Sequence, residues 1–183
     1  VLPPDINESG WEFTWTGEAV RFGFGGCKGV GEGAAEHIIA ERRRRGAFTS
    51  LYDACERLDT RTVNKRVIDN LVKVGALDSL HDNRHALQCA IERAFDRGHR
   101  IAKAKAQAQT SLFGAFEEDA GFREQTQGYP AVDDWSLDDR LAYEKALTGY
   151  WMSAHPLEQH TESIARYAAH HARDLRDRPS GTV

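Results

Sequence analysis

Three glycines at alternate positions in Lys28-Gly29-Val30-Gly31-Glu32-Gly33 offer one kind of chemistry, the binding of an anion by backbone amides. Glycine reaches positive φ without a Cβ clash and lets another backbone come close, so the run suits a tight turn whose N–H groups point outward. Ala34, Ala35, Ile38, Ile39 and Arg42 then recur at helical spacing among good helix formers, which predicts a helix from about Gly33 to Arg45. Unsatisfied N–H groups at that helix start, with Lys28 just upstream, make a site for phosphate. The expected ligands of a nucleic-acid backbone are therefore Lys28, Gly29, Val30, Gly31 and Gly33.

Other readings of the same residues stay open. Gly29-x-Gly31-x-x-Ala34 also satisfies the dinucleotide-binding pattern, which needs a second parallel strand and an acidic residue about 20 positions on. That region holds Arg42-Arg43-Arg44-Arg45 and a helical segment instead. A P-loop fails because Lys28 precedes the turn and no Lys-Ser/Thr follows it. A purely structural turn is the third reading. The four arginines wrap around a helix end, where they are either solvated and favoured by the dipole or in contact with nucleic acid. Around a second, less glycine-rich turn at Gly75 stand Arg61, Lys65, Arg66 and Lys73, of which Lys65 and Arg66 are the expected backbone ligands.

Gln109-Thr110-Ser111-Leu112-Phe113-Gly114 carries a different chemistry. A Leu-Phe pair at the head of a polar, acidic stretch has no local core to enter, and such a pair marks a docking peptide. Burying both side chains supplies roughly 3–6 kcal/mol before ordering costs. The competing reading packs Leu112 and Phe113 back onto the preceding helix. His81 and His85 are spaced for metal on a helix, but no thiol or carboxylate pair completes the set. Asp133-Asp134 and Asp138-Asp139 read as solvated charge, and no Ser/His/Asp or Cys/His arrangement marks a catalytic residue.

The elements that must position these residues are mostly helical. Trp11 to Thr14 and Ala19 to Gly23 predict a small hairpin around Thr16-Gly17. Helices are expected over about Gly33–Arg45, Ser50–Arg57, Asn64–Val74, Arg84–Gln107, Ser136–Tyr150 and Leu157–His171, with Ala76-Leu77-Asp78-Ser79-Leu80 resuming helix after Gly75. The two helix–glycine turn–helix units form a weak internal repeat. Residues 1–23 read as a leading loop and β-hairpin, 24–108 as the binding module, 109–134 as docking peptide and acidic linker, and 135–183 as a helical connector.

Bulk composition excludes several classes. The chain has 183 residues with 40% hydrophobic and 28% charged, compatible with a soluble core. No stretch approaches a membrane span and no signal peptide is visible. Cys27, Cys55 and Cys89 are odd in number and far apart, which fits reduced thiols in the cytoplasm. The net charge of −4 argues against nonspecific coating of nucleic acid by the whole surface. Its distribution is uneven: residues 1–108 hold 17 Lys/Arg against 15 Asp/Glu, and residues 109–139 hold one against eight. Met152 is the only methionine and the chain opens at Val1, so a piece of a longer protein is expected.

In order along the chain stand Val20-Arg21-Phe22-Gly23-Phe24-Gly25, Lys28 to Ala34, Asn64-Lys65-Arg66-Val67, Gly75-Ala76-Leu77-Asp78, Gln109 to Gly114, Glu144-Lys145 and His155-Pro156-Leu157. With that order and spacing the chain resembles the C-terminal half of the alpha subunit of bacterial DNA polymerase III, the C-family replicative polymerases. The resemblance implies a mainly α fold: a small β-hairpin, a tandem helix-hairpin-helix module, an acidic linker, then C-terminal helices leading toward a missing OB-fold. It implies that the module grips duplex DNA and that Gln109, Leu112 and Phe113 dock in the sliding clamp. It further implies the other polymerase III holoenzyme subunits as partners, no membrane, and a cytoplasmic location. The family's catalytic aspartates lie upstream, so no cofactor is expected in this piece, although Mg2+ is implied for the parent polymerase.

Overall fold

The computed structural model describes residues 1–110 and 128–167. Two short strands, β1 (Thr14–Trp15) and β2 (Val20–Arg21), pair antiparallel with Thr14 opposite Arg21 and Trp15 opposite Val20. Gly17 turns the hairpin at φ 99°, a value that favours glycine. Leu2 adds a single parallel bridge on the far side of β2, donating to the Val20 carbonyl at 2.8 Å and accepting from Phe22 at 3.0 Å. This is the only sheet among the described residues, so the parallel strand demanded by the dinucleotide-binding reading is missing from them.

Six α-helices follow among the described residues: α1 (Glu32–Arg45), α2 (Leu51–Arg57), α3 (Lys65–Lys73), α4 (Arg84–Thr110), α5 (Leu137–Thr148) and α6 (Thr161–Tyr167). The starts of α2, α3 and α5 each carry a side chain that satisfies an orphan amide. Ser50 accepts from Asp53 at 3.0 Å, Asn64 from Val67 at 3.1 Å, and Ser136 from Asp139 at 3.1 Å. Gly46 and Gly149, both at φ 82°, end α1 and α5. No described helix is long and apolar enough to cross a membrane.

The core joins α1 (Ala35, Ile38), α2 (Leu51, Ala54), α3 (Ile68, Leu71) and α4 (Leu87, Ala90, Ala94) around Phe22, Phe24 and Phe48. Helix α4 packs on α2 closely enough that a Cβ on Gly98 would strike the Cys55 carbonyl. Between α3 and α4 the expected helix over Ala76–Leu80 is instead a chain of turns, with helix resuming at Arg84. Ala76 and Leu77 are wholly buried, and burial of this short segment outweighs its helical propensity.

Residues 128–134 belong to the stretch whose composition reads as linker, yet they lie against α2 and the start of α4. The Tyr129 hydroxyl accepts the Leu51 N–H at 3.1 Å, Val132 accepts from the Asn83 amide at 2.7 Å, and Asp134 accepts the His85 N–H at 3.0 Å. Trp135 tilts on Tyr143 of α5 with centroids 4.8 Å apart. Averaged polarity hides those two aromatic anchors. The chain divides after Ser153, so α5 belongs to the first unit with α1–α4, while the second unit holds a 3-10 turn (Glu158–His160) leading into α6.

Replacing Gly98 by Ala should destabilise the first unit by about 1–3 kcal/mol, the usual cost of overpacking. Urea denaturation followed by far-UV circular dichroism measures it, and an unchanged midpoint would show that α2 and α4 separate more easily than described.

Candidate nucleic-acid interface

The first glycine turn is built on a short 3-10 turn, Phe24–Gly26, that replaces a full helix on its N-terminal side. Cys27 donates to Phe24 at 2.9 Å and Val30 to Cys27 at 3.2 Å, while Gly29 takes φ 78°. The side chains of Cys27 and Val30 are buried and pin the turn to the core; burial pushes the Cys27 thiol up to about 12. Helix α1 then starts from Gly31, whose carbonyl accepts from Ala34 at 3.0 Å and Ala35 at 3.1 Å.

Gly29, Gly31, Glu32 and Gly33 are exposed, and their four N–H groups have no acceptor among the described residues. A Cβ built on Gly31 or Gly33 meets nothing within 4 Å. The turn thus presents a patch of bare amides at a helix start, where the dipole adds partial positive charge. The Glu32 carboxylate stands at the same end and opposes part of that field. Val30 contributes a buried anchor, since its amide is engaged within the turn.

Lys28 is placed differently from the sequence expectation of a phosphate ligand. Its ammonium donates to the Ala146 carbonyl at 2.9 Å and its amide to the Leu147 carbonyl at 2.8 Å, both in the last turn of α5. Its own carbonyl accepts from the Asn70 side chain of α3 at 3.1 Å. Asn70 also fills the space that a Cβ on Gly29 would need. Neither partner was visible in the sequence, because a surface asparagine on a helix and two backbone carbonyls carry no pattern.

The second glycine turn closes where the first is open. It ends α3 in a Schellman arrangement: Gly75, at φ 80°, donates to Val72 at 3.0 Å, and Ala76 donates to Leu71 at 2.8 Å. Asp78 donates back to Gly75 at 3.1 Å, and Gly75, Ala76 and Leu77 are all buried. The Arg84 guanidinium occupies the place a Cβ on Gly75 would take. Arg84 holds Asp78 through two contacts at 2.9 and 2.7 Å and Glu144 of α5 at 2.8 Å. Glu144 accepts in turn from the amides of Met152 at 2.8 Å and Ser153 at 3.0 Å, and from the Ser153 hydroxyl. Burial alone would raise the Glu144 carboxyl, but these donors, those of Ser153 foremost, outweigh it and hold its pKa below the ordinary carboxylate range.

Lys65 and Arg66 come together at the start of α3, lining an open groove of about 400 Å³ with Thr60, Asn64, Phe95 and His99. The Lys65 ammonium pairs with Glu92 and lies 6.0 Å over the Phe95 ring. Arg66 is exposed with no ion pair among the described residues. Asn70 lies five residues along the same helix, about 8 Å from Lys65 at 1.5 Å per residue, so both clusters hang from α3. The arginine run is largely engaged: Arg42 donates to the carbonyls of Ile6 and Ser9 at 2.8 and 2.6 Å, and Arg44 pairs with Glu41 at 2.8 Å. Arg45 also reaches Glu41, at 3.4 Å. Gln109 stands in the last turn of α4, and Leu112 and Phe113 lie outside the described residues.

Comparison with known proteins gives a motif and a set of relatives. A family model described as a helix-hairpin-helix motif matches residues 1–87. The chain is 38% identical over 178 residues to the DNA polymerase III subunit alpha of Deinococcus radiodurans, covering 96% of this chain and 13% of that protein. It is 37% identical over 168 residues to that of Escherichia coli strain K12, with 91% and 14% covered. For that of Vibrio cholerae serotype O1 the identity is 35% over 170 residues, with 92% and 14% covered. The chain therefore spans about a seventh of the length of these curated relatives.

A carboxylate whose folded pKa is depressed stabilises the fold above its unfolded pKa and ceases to do so as pH falls through the folded value. Glu144 should therefore contribute fully at neutral pH and lose its contribution below the ordinary carboxylate range. Thermal melts of Glu144→Gln against the native chain should show the larger deficit at neutral pH and a convergence at low pH.

Proposed function

The chain is a homologue of one segment of the alpha subunits of bacterial DNA polymerase III, and from that premise we propose that it grips duplex DNA without reading sequence. The observation that supports this most directly is the exposed set of acceptor-free amides at Gly29, Gly31, Glu32 and Gly33. Phosphate oxygens are the ligands such a helix-start turn suits, and every phosphate on a duplex offers the same oxygens whatever the base. Lys65 and Arg66 add a basic contact at the start of α3, the helix whose Asn70 holds the Lys28 carbonyl. Lys28 serves this surface from within the hairpin. The second turn, closed by Arg84, acts as a brace.

The names of the relatives support a wider reading. In that reading the parent is a DNA-directed DNA polymerase of the cytoplasm that works with other holoenzyme subunits and uses Mg2+, with no cofactor assigned to this segment. Gln109, Leu112 and Phe113 are the sliding-clamp docking peptide. Gln109 stands in the last turn of α4, where from His99 onward the described side chains are exposed except for half-buried Ile101, and that exposure supports the role.

Gly31 has an extended backbone (φ −78°, ψ 154°) and open space beyond its Cα, so Gly31→Val keeps the fold while its branched side chain shields the amides. Fluorescence titration with a duplex should show affinity reduced about tenfold or more, roughly the loss of one charged hydrogen bond. Native binding should fall with salt at a slope of about −0.9 per phosphate neutralised. Equal binding by Gly31→Val would remove the amide turn from the interface.

For the docking peptide, Leu112→Ala with Phe113→Ala should abolish capture of the chain by immobilised clamp and leave duplex affinity unchanged. Capture that survives the double substitution would refute that assignment.

A further inference from the structure

Lys28 is exposed, yet each of its three polar groups bonds within the chain: ammonium on Ala146, amide on Leu147, carbonyl on Asn70. Two of the three partners are carbonyls at the C-terminal end of α5, where a helix leaves its last carbonyls unsatisfied and carries partial negative charge. Helix α5 lies outside the residues matched by the helix-hairpin-helix model, which end at 87. It is tied in turn to the second turn through the buried Arg84–Glu144 pair. A single helix therefore reaches both glycine turns, the first directly at its end and the second through Arg84.

We propose that the end of α5 is the seat of the DNA-gripping hairpin, with Lys28 a positioning residue that orients the amides and Arg84–Glu144 the fastening that holds the seat. The inference rests on the reading that this hairpin grips duplex. The grip then extends well past the helix-hairpin-helix repeat, to a helix that follows the clamp-docking peptide in the chain. Lys28 acts through Ala146 and Leu147 and makes no phosphate contact of its own. Asn70 completes the seat from the opposite side by holding the Lys28 carbonyl.

Salt dependence separates positioning from contact, because only a lost phosphate contact changes the number of counterions released. Lys28→Met in the full 183-residue chain should weaken duplex binding about tenfold with the slope of log affinity against log salt unchanged. Lys28→Arg, which still offers a donor to the α5 carbonyls, should recover most of the affinity. Glu144→Gln, or the milder Ser153→Ala, should weaken binding in the same slope-preserving way, and its effect should not add to that of Lys28→Met. A slope shallower by about 0.9 in Lys28→Met, the signature of one phosphate contact, or full additivity with Glu144→Gln, would overturn the proposal.

A second measurement needs no DNA. The amide hydrogen at position 28 should exchange slowly in the native chain and markedly faster in Ser153→Ala, which leaves the hairpin itself untouched. If the native chain fails to bind duplex, the reading of the preceding subsection falls and the seat is judged on exchange: faster exchange supports it, and unchanged exchange overturns it.

Discussion

Arg84 and Glu144 are both almost completely removed from water, 1% and 0% exposed, and the first unit is organised around that pair. Taking two charges out of water costs several kcal/mol per ion, and the attraction offsets this only when the remaining donors and acceptors are satisfied. Here they are: Asp78, Ser153 and the Lys73 carbonyl take the other guanidinium protons, and two backbone amides fill the second carboxylate oxygen. An apolar pair of equal volume would hold the elements together as well. It would not fix the angle between the α3–α4 turn and α5, which the planar guanidinium does through directed bonds.

The same glycine chemistry has opposite outcomes at the two turns, and the difference lies in what stands next to each. At Gly75 a long cation folds over the backbone and the following residues sink into the core. At Gly29–Gly33 the neighbours are Asn70 and the end of α5, both placed behind the turn, and the outward side is left bare. Sequence similarity between the turns therefore says little about which one leaves its amides exposed. Burial of Ala76 and Leu77 against exposure of Gly31 and Gly33 is what tells them apart.

Much of the architecture was legible in the residues. Helices α1 to α5 appear within a few positions of their predicted spans, because apolar periodicity and the caps Ser50, Asn64 and Ser136 are local signals. The open glycine turn was legible for the same reason. Contacts between distant residues were not. Lys28 reads as a free cation until α5 is known to end beside it, 118 residues later. Glu144 figured only as half of a Glu-Lys pair, and Arg84 as the first residue of a helix. The run Ala76–Leu80 misled because its propensity is helical while its burial is set by tertiary neighbours. Tyr129 and Trp135 were submerged in an average over an acidic stretch, although the anchoring depends on those two rings.

The distribution of thiols has a practical side. Cys27 and Cys55 are buried, and the loss of hydration lifts both to about 12, so neither forms appreciable thiolate near neutrality. Cys89 is exposed on α4, next to Gln88 and about one turn before Glu92. A maleimide dye would therefore react at a single native position, giving an optical reporter on α4 without any engineered cysteine.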